Sequence, residues 1–346
     1  MKVEKRDSKL LNRLHPICTI ILALILGSAL LFLLSVDVAK AYEILFFSAF
    51  GSISGFGESL TRAVPLMMVG LAVVIPLKAG LWNIGGEGQL YTGALVAFLV
   101  ANNVLIPGVS IILMFLLSFL SGGIIGLVAA VLKVKRGVNE ILVTLMLNFI
   151  IIYIAEFLII GPWRDTTAAI MTRTNYIPDL SRLLRLSEAS RLNISFFIAV
   201  VAAILVHLFL SKTTIGFKIK ALGSGEKTAV ASGINKGKII LITMFLGGGL
   251  AGMAGMFELA GVHYYLIKGL SPGFGYWGIA VCMLAGANSL GIIGMSIFFG
   301  GMIVGLYSMT RLVNLPVAMT DVFLGLLILG WLITYFVVHY RIRWTK

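Results

Sequence analysis

The side chains best equipped for chemistry lie in GLWNIGGEGQLYTGA, residues 80–94, where Asn83, Glu87 and Gln89 stand among Gly80, Gly85, Gly86 and Gly88. Two amides and a carboxylate this close together can hydrogen-bond a polar solute, and the glycines let backbone leave helical geometry. Apolar sequence flanks the stretch on both sides. Further along, Asn139, Glu140, Asn148, Glu156, Glu258 and Asn288 also interrupt apolar runs. Polar groups are expensive in lipid and face a bundle interior or a water-filled cavity. Irregular backbone at membrane depth survives only in the same surroundings. Asn83, Glu87, Gln89, Asn139, Glu140 and Asn148 are therefore candidates for lining a solute pathway. Two other readings stay open. Asn83 and Gln89 can staple neighbouring helices, and Asn139 with Glu140 can cap the helix they begin. Asn148 and Glu156, two turns apart, should share a face that points into the bundle.

A second stretch, GSGEKT at 223–228, looks a little like a phosphate-binding loop. Glu226 stands directly before Lys227, where a carboxylate repels phosphate, and an apolar span rather than a strand precedes it. The better reading is a short helix within 222–234. Ser224 caps it, Glu226 sits near the positive end of its dipole, Ala229, Val230 and Ala231 continue it, and Gly233 ends it. Two turns are unstable alone and make sense docked into a partner's groove; the alternative is a solvated loop. The four histidines, His15, His207, His263 and His339, are scattered, and Cys18 and Cys282 lie inside apolar segments. Neither set has metal-ligand spacing or a nucleophile–base pairing, so the chain does not read as an enzyme.

The elements that position these residues follow from composition. Of 346 residues, 59% are hydrophobic and 12% charged, against roughly 25% charged in soluble proteins. A bilayer is the natural solvent. Apolar segments near 17–36, 60–78, 86–105, 108–132, 138–160, 193–211, 239–261, 273–288, 292–310 and 317–338 predict about ten helices of spanning length. The fold class expected is all-α and polytopic, a single membrane domain over 1–346. Residues 17–36 are too long for a signal-peptide core and read as an uncleaved first span. Net charge is +13, but the cations cluster at span ends, which fits topology rather than nucleic acid. Lys2 to Arg13, Lys78, Lys133 to Arg136, Lys212 to Lys238 and Arg341 to Lys346 fall on one side, which should be cytoplasmic, with both termini inside. That places loop 161–192 outside and loop 212–238 in the cytoplasm. Glycine runs at 247–255 and 291–305 predict close helix packing.

At this point a family becomes visible. RAVPLMMVGLAVVIPLKAGLWNIGGEGQLYTGA (62–94) resembles the characteristic stretch of ABC-importer permeases of the ribose and branched-chain amino acid type. Asn83 to Gln89 looks most like the nucleoside and simple-sugar branch. GVNEILVTLMLNFI (137–150), GPWRD (161–165), IGFKIKALGSGEKTAVASGI (215–234) and GFGYWGIAVCMLAGANSLGIIG (273–294) resemble that branch as well. The 215–234 stretch departs from the family pattern at Ser224, Gly225 and Ala229-Val230. The resemblance implies a multi-pass subunit of a prokaryotic cell membrane that imports nucleosides, or else a simple sugar such as ribose or galactose. It implies no cofactor of the chain's own, because ATP is bound by partner ATPases. Those ATPases would dock on the coupling segment, with Leu222, Ser224, Glu226, Ala229, Val230 and Gly233 as its residues. A second permease subunit, different or identical, would complete the pathway. An extracytoplasmic solute-binding lipoprotein would meet the outer loop, where Arg164, Arg173 and Arg182 offer positive charge. The reading from another class is an ion-coupled secondary transporter with Glu87, Glu140 and Glu156 as its relay.

Overall fold

The computed structural model describes residues 2–5, 9–167 and 172–343. Arg6 and Lys346, counted among the basic end residues, and residues 168–171 of the expected outer loop lie outside that set. The helices are α1 (Lys9–Leu33), α2 (Val38–Phe50), α3 (Ile53–Lys78), α4 (Gly86–Asn103), α5 (Val109–Arg136), α6 (Glu140–Ile160), α7 (Ser195–Lys212), α8 (Thr214–Ser224), α9 (Glu226–Ala231), α10 (Lys236–Glu258), α11 (Phe274–Leu284), α12 (Ser289–Leu312) and α13 (Met319–His339). A 3₁₀ turn spans Asp179–Ser181 and a π-helical turn Leu259–His263. The fold is all-α apart from short strands β1 (Lys2–Lys5) and β2 (Tyr340–Arg343), which pair antiparallel with Lys2 opposite Arg343. Among the described residues seven helices are long and apolar enough to cross a membrane: α3, α5, α6, α7, the α10–π segment Lys236–His263, α12 and α13. Cys18–Leu33 of α1 and Phe274–Leu284 are apolar but shorter.

The chain divides into two compact units, residues 1–59 with 301–346, and residues 60–300. In the first, α1 pairs with α13, and Thr19 and Thr334 share a buried hydroxyl hydrogen bond of 2.7 Å. Asp37 caps α2 by accepting from the N–H groups of Ala39 and Lys40. Tyr42 of α2 donates to Leu24 O at 2.6 Å.

The second unit is built around α4. Its flanks are α5, α6, α10 and α11, and twelve of its residues from Gly86 to Ala101 are buried. Glu87 and Gln89 can occupy its first turn because protein, not lipid, surrounds it. The wall is a glycine seam. Gly93 of α4 lies against Gly252 O, Gly255 against Leu90 O, and Gly122 and Gly248 of α5 and α10 pack backbone on backbone. Without a water-driven hydrophobic term between spans, such close approach supplies the dispersion and weak polar contacts that hold helices together. The outer helices invert the soluble pattern. Ile112, Leu116 and Ile124 on α5, Phe149 and Phe157 on α6, and Val201 and Leu205 on α7 are exposed, as a lipid-facing surface requires.

Candidate functional site

α3 ends at Lys78, and Gly80 turns the chain at φ +76°. Residues 81–85 then run non-helical before α4 begins. Five backbone positions without a helical ladder must find partners at bundle depth. Asn83 and Gln89 supply part of the answer by closing on each other, each amide nitrogen donating to the other's oxygen at 3.0 Å. Asn83 Oδ1 also accepts from Gly85 N at 3.1 Å. The rest comes from α6. Asn148 accepts from Gly88 N and donates to Ile84 O, both at 2.8 Å. Thr144 Oγ1 lies 3.3 Å from Ile84 N, and Glu140 Oε1 lies 3.5 Å from Trp82 N. Glu140 also pairs with Lys133. Thr144 was not singled out from sequence, although 140, 144 and 148 fall one turn apart and so form a single polar stripe.

Glu87, 3% exposed, reaches across to the start of α11 and accepts from Gly275 N at 2.6 Å. It thereby caps that short helix, where a carboxylate meets unsatisfied N–H groups and the positive dipole end. Ser271 supports the same corner by accepting from Phe274 N at 2.9 Å. Glycine at 275 is required, because a Cβ there would overlap the Glu87 backbone. Of the six candidate pathway residues, Asn83, Gln89, Glu140 and Asn148 hold the backbone around the break before α4 and Glu87 caps α11; all five are buried. Asn139 stands apart, exposed, capping α6 through Ile141 N at 2.9 Å. Glu156, expected to share the inward face of Asn148, is half-buried and pairs with Lys268 at 3.4 Å. Glu258 is buried beside His263 at 3.4 Å.

The 212–238 segment holds two helices, not one. Ser224 does not cap α9; it is the last residue of α8, and its hydroxyl donates back to Lys220 O at 2.9 Å. The cap position belongs to extended Gly225. Glu226 stands in the first turn of α9 and pairs with Lys236. Gly233 lies at φ +81°, and Ile234 N returns to Ala229 O at 3.1 Å, which closes the helix end. Leu222 and Ala229 are buried anchors, while Val230 is 50% exposed. Gly223 lies on the carbonyl of Lys78, so α8 rests directly on the end of α3 and the Gly80 turn.

Within the expected outer loop, residues 172–183 are held by backbone pairing to 260–268. Thr174 N donates to Leu266 O, Ile177 N to Tyr264 O and Leu183 N to Ala260 O. Arg173 binds the Tyr176 hydroxyl at 2.9 Å and lies 3.4 Å from Asp165. The hydrogen bond to Tyr176, more than the nearby carboxylate, raises its pKa further above the ordinary arginine value, so it stays cationic. Arg182 pairs with Asp179 at 2.6 Å and stacks on Tyr264. Arg164 is exposed.

Seven helices among the described residues are long and apolar enough to cross a membrane, and within residues 60–300 protein encloses the polar start of α4, as in a multi-pass membrane protein. Residues 55–332 match the family model of the branched-chain amino acid transport system permease component, and the chain belongs to that family. It is 32% identical to the glucose ABC transporter permease protein TsgB13 of Haloferax volcanii, covering 94% of this chain and 89% of that one. Identity is 29% to the guanosine ABC transporter permease protein NupP of Bacillus subtilis, over 93% of each. The nucleoside ABC transporter permease protein NupB of Lactococcus lactis subsp. cremoris is 28% identical, over 88% of this chain and 86% of that one. These relatives are transport permeases rather than enzymes, and the protein is an integral component of the cell membrane.

Proposed function

We propose that this chain is the membrane subunit of an ATP-driven importer for nucleosides, with ATP bound by its partners. Support for the substrate comes from the Asn83–Gln89 motif and from the guanosine and nucleoside permeases among its relatives. A sugar remains the second reading, favoured by the 32% identical glucose permease. In this reading about ten segments span the membrane, with both termini and 212–238 in the cytoplasm. The observation that carries the mechanism is the α8–α9 pair. A short helix with half-exposed Val230 protrudes, while α8 rests on the carbonyl of Lys78. Cytoplasmic ATPases grip α9, and its displacement passes through Gly223 to the Gly80 turn, which leads into the break before α4. Asn83, Glu87, Gln89 and Asn148 then serve as the frame of the solute route, since their hydrogen bonds hold the chain's own backbone. A second permease, different or a second copy, faces this one. An extracytoplasmic binding lipoprotein docks on 161–192, with Arg164 free to meet its acidic groups while Arg173 and Arg182 hold the loop's shape.

Val230→Asp tests the lever. A charge buried at the docking surface should lower solute-stimulated ATP hydrolysis of the purified complex about tenfold or more. Unchanged hydrolysis, or sustained concentrative uptake by the lone chain in liposomes, overturns the reading. Cysteines at Glu226 and Glu188 should label from opposite faces. Calorimetry on the lipoprotein decides the substrate, and binding of glucose without nucleosides sinks the nucleoside reading.

A further inference from the structure

Two basic cavities open on the second unit, and they differ in one respect. The first, about 340 Å³, is lined by Lys133 and Lys236 among others. Both lysines already hold a carboxylate, Glu140 and Glu226 respectively. The second, about 370 Å³, is lined by Lys78, His207, Ser211, Lys220, Asn288 and Ser289, with Leu210, Gly286 and Ala287 completing its wall. No carboxylate is among its lining residues, and among the described residues neither Lys78 nor Lys220 has an ion-pair partner.

The two charges are held together by the fold. Lys78 ends α3, and Lys220 lies one turn before Gly223, whose Cα rests against the Lys78 carbonyl. Neither element can move off without opening that backbone contact. The opposite wall is equally fixed. Gly286 and Ala287 both adopt left-handed backbone, φ +62° and +52°, in the turn between α11 and α12. A non-glycine residue there is strained and persists only when its surroundings impose it. Asn288 accepts from Leu290 N through Oδ1, which leaves its amide as a donor. Ser211 and Ser289 add hydroxyls. The cavity therefore presents two ammonium groups, an imidazole, an amide and two hydroxyls without a compensating anion.

Its depth is equally informative. Lys78 is the last residue of one spanning helix, and Ser211 is the last but one of another, α7. The cavity thus sits where apolar sequence stops, at the level where lipid phosphates lie. We infer that this cavity binds a phosphate group, carried on a lipid head group or free in solution. The anion relieves the repulsion between Lys78 and Lys220 and ties α3, α7, α8 and the 286–289 turn together. The inference does not depend on which solute the protein carries.

The test uses the full chain purified in detergent, with native mass spectrometry counting retained phosphatidylglycerol against diacylglycerol, which has the same tails and no phosphate. The wild type should retain phosphatidylglycerol selectively. Lys78→Gln with Lys220→Gln should lower retention about tenfold or more, since each cation near the surface contributes separately. Asn288→Asp, which keeps both lysines and sets a carboxylate among them, should do the same and guards against loss of fold in the double variant. Lys218→Gln with Lys227→Gln removes equal charge from α8 and α9 outside the cavity and should leave retention unchanged. Displacement of the lipid by millimolar inorganic phosphate identifies free phosphate as a competent ligand, and failure to displace identifies the lipid. Equal retention by wild type and both cavity variants, equal loss in the Lys218/Lys227 control, or retention of diacylglycerol to the same extent overturns the inference.

Discussion

Asn148→Leu is the sharpest test of how the break before α4 is held. Leucine has the same heavy-atom branching as asparagine, so it removes hydrogen bonds while keeping a branched side chain in place. Two bonds are lost, from Gly88 N and to Ile84 O, both 2.8 Å and both inside the unit. Side-chain hydrogen bonds between membrane helices average about 0.6 kcal/mol each. An orphaned buried backbone group costs about 1–3 kcal/mol. Residues 81–85 have no helical ladder to fall back on, so the second figure bears on Ile84 O, and the expected loss is about 1–3 kcal/mol in total. Equilibrium unfolding of the purified chain in mixed micelles, followed by circular dichroism as denaturing detergent rises, measures it. Asn148→Ala should lose at least as much, because it also leaves a void beside Gly88. A leucine variant within about 0.3 kcal/mol of wild type, with only alanine destabilised, would show that packing alone secures the contact.

The same assay serves two further cases, and amide exchange serves a third. Glu87→Gln keeps an acceptor for Gly275 N and should be mild, whereas Glu87→Ala strands that N–H and should cost about 1–3 kcal/mol; equal damage from both would mean that the charge itself matters. Gly255→Ala drives a methyl into Leu90 O and should cost about 1–3 kcal/mol or more, while Gly294→Ala, in open space, should be silent. If both glycines tolerate alanine, the seam is not what packs α4 on α10. Gly233→Val places a branched residue in left-handed backbone and should raise amide exchange across Ala229–Ile234, with Gly233→Asn much milder; identical exchange in the two variants would contradict the turn geometry.

Much of the fold could be read from hydropathy, because each expected apolar segment falls on a helix. What escaped were features decided by partners distant in sequence. Asn148 and Ile84 are 64 positions apart, and nothing local says that this amide serves a backbone carbonyl. Ser224 read as a cap because its residue type fits one, but α8 continues through it and its hydroxyl turns inward to Lys220. Asp37 before Val38 is a readable start signal for α2, but its thirteen residues are too few to span a bilayer, so a hydropathy pattern of spanning length does not show it. The π turn at Leu259–His263 and the backbone pairing of 174–183 to 260–266 follow from tertiary contact alone.

The sheathing of α4 has a consequence for biosynthesis. Its first turn carries Glu87 and Gln89, and it is not among the segments apolar enough to cross on their own. Insertion machinery that sorts each stretch by its partition free energy would hand α4 poorly to lipid. Its glycine-bearing flank is completed only by α10, which leaves the ribosome well over a hundred residues later. The nascent chain must therefore keep α4 sheltered until α10 arrives, and substitutions along the α10 seam should appear first as failed membrane integration in the cell.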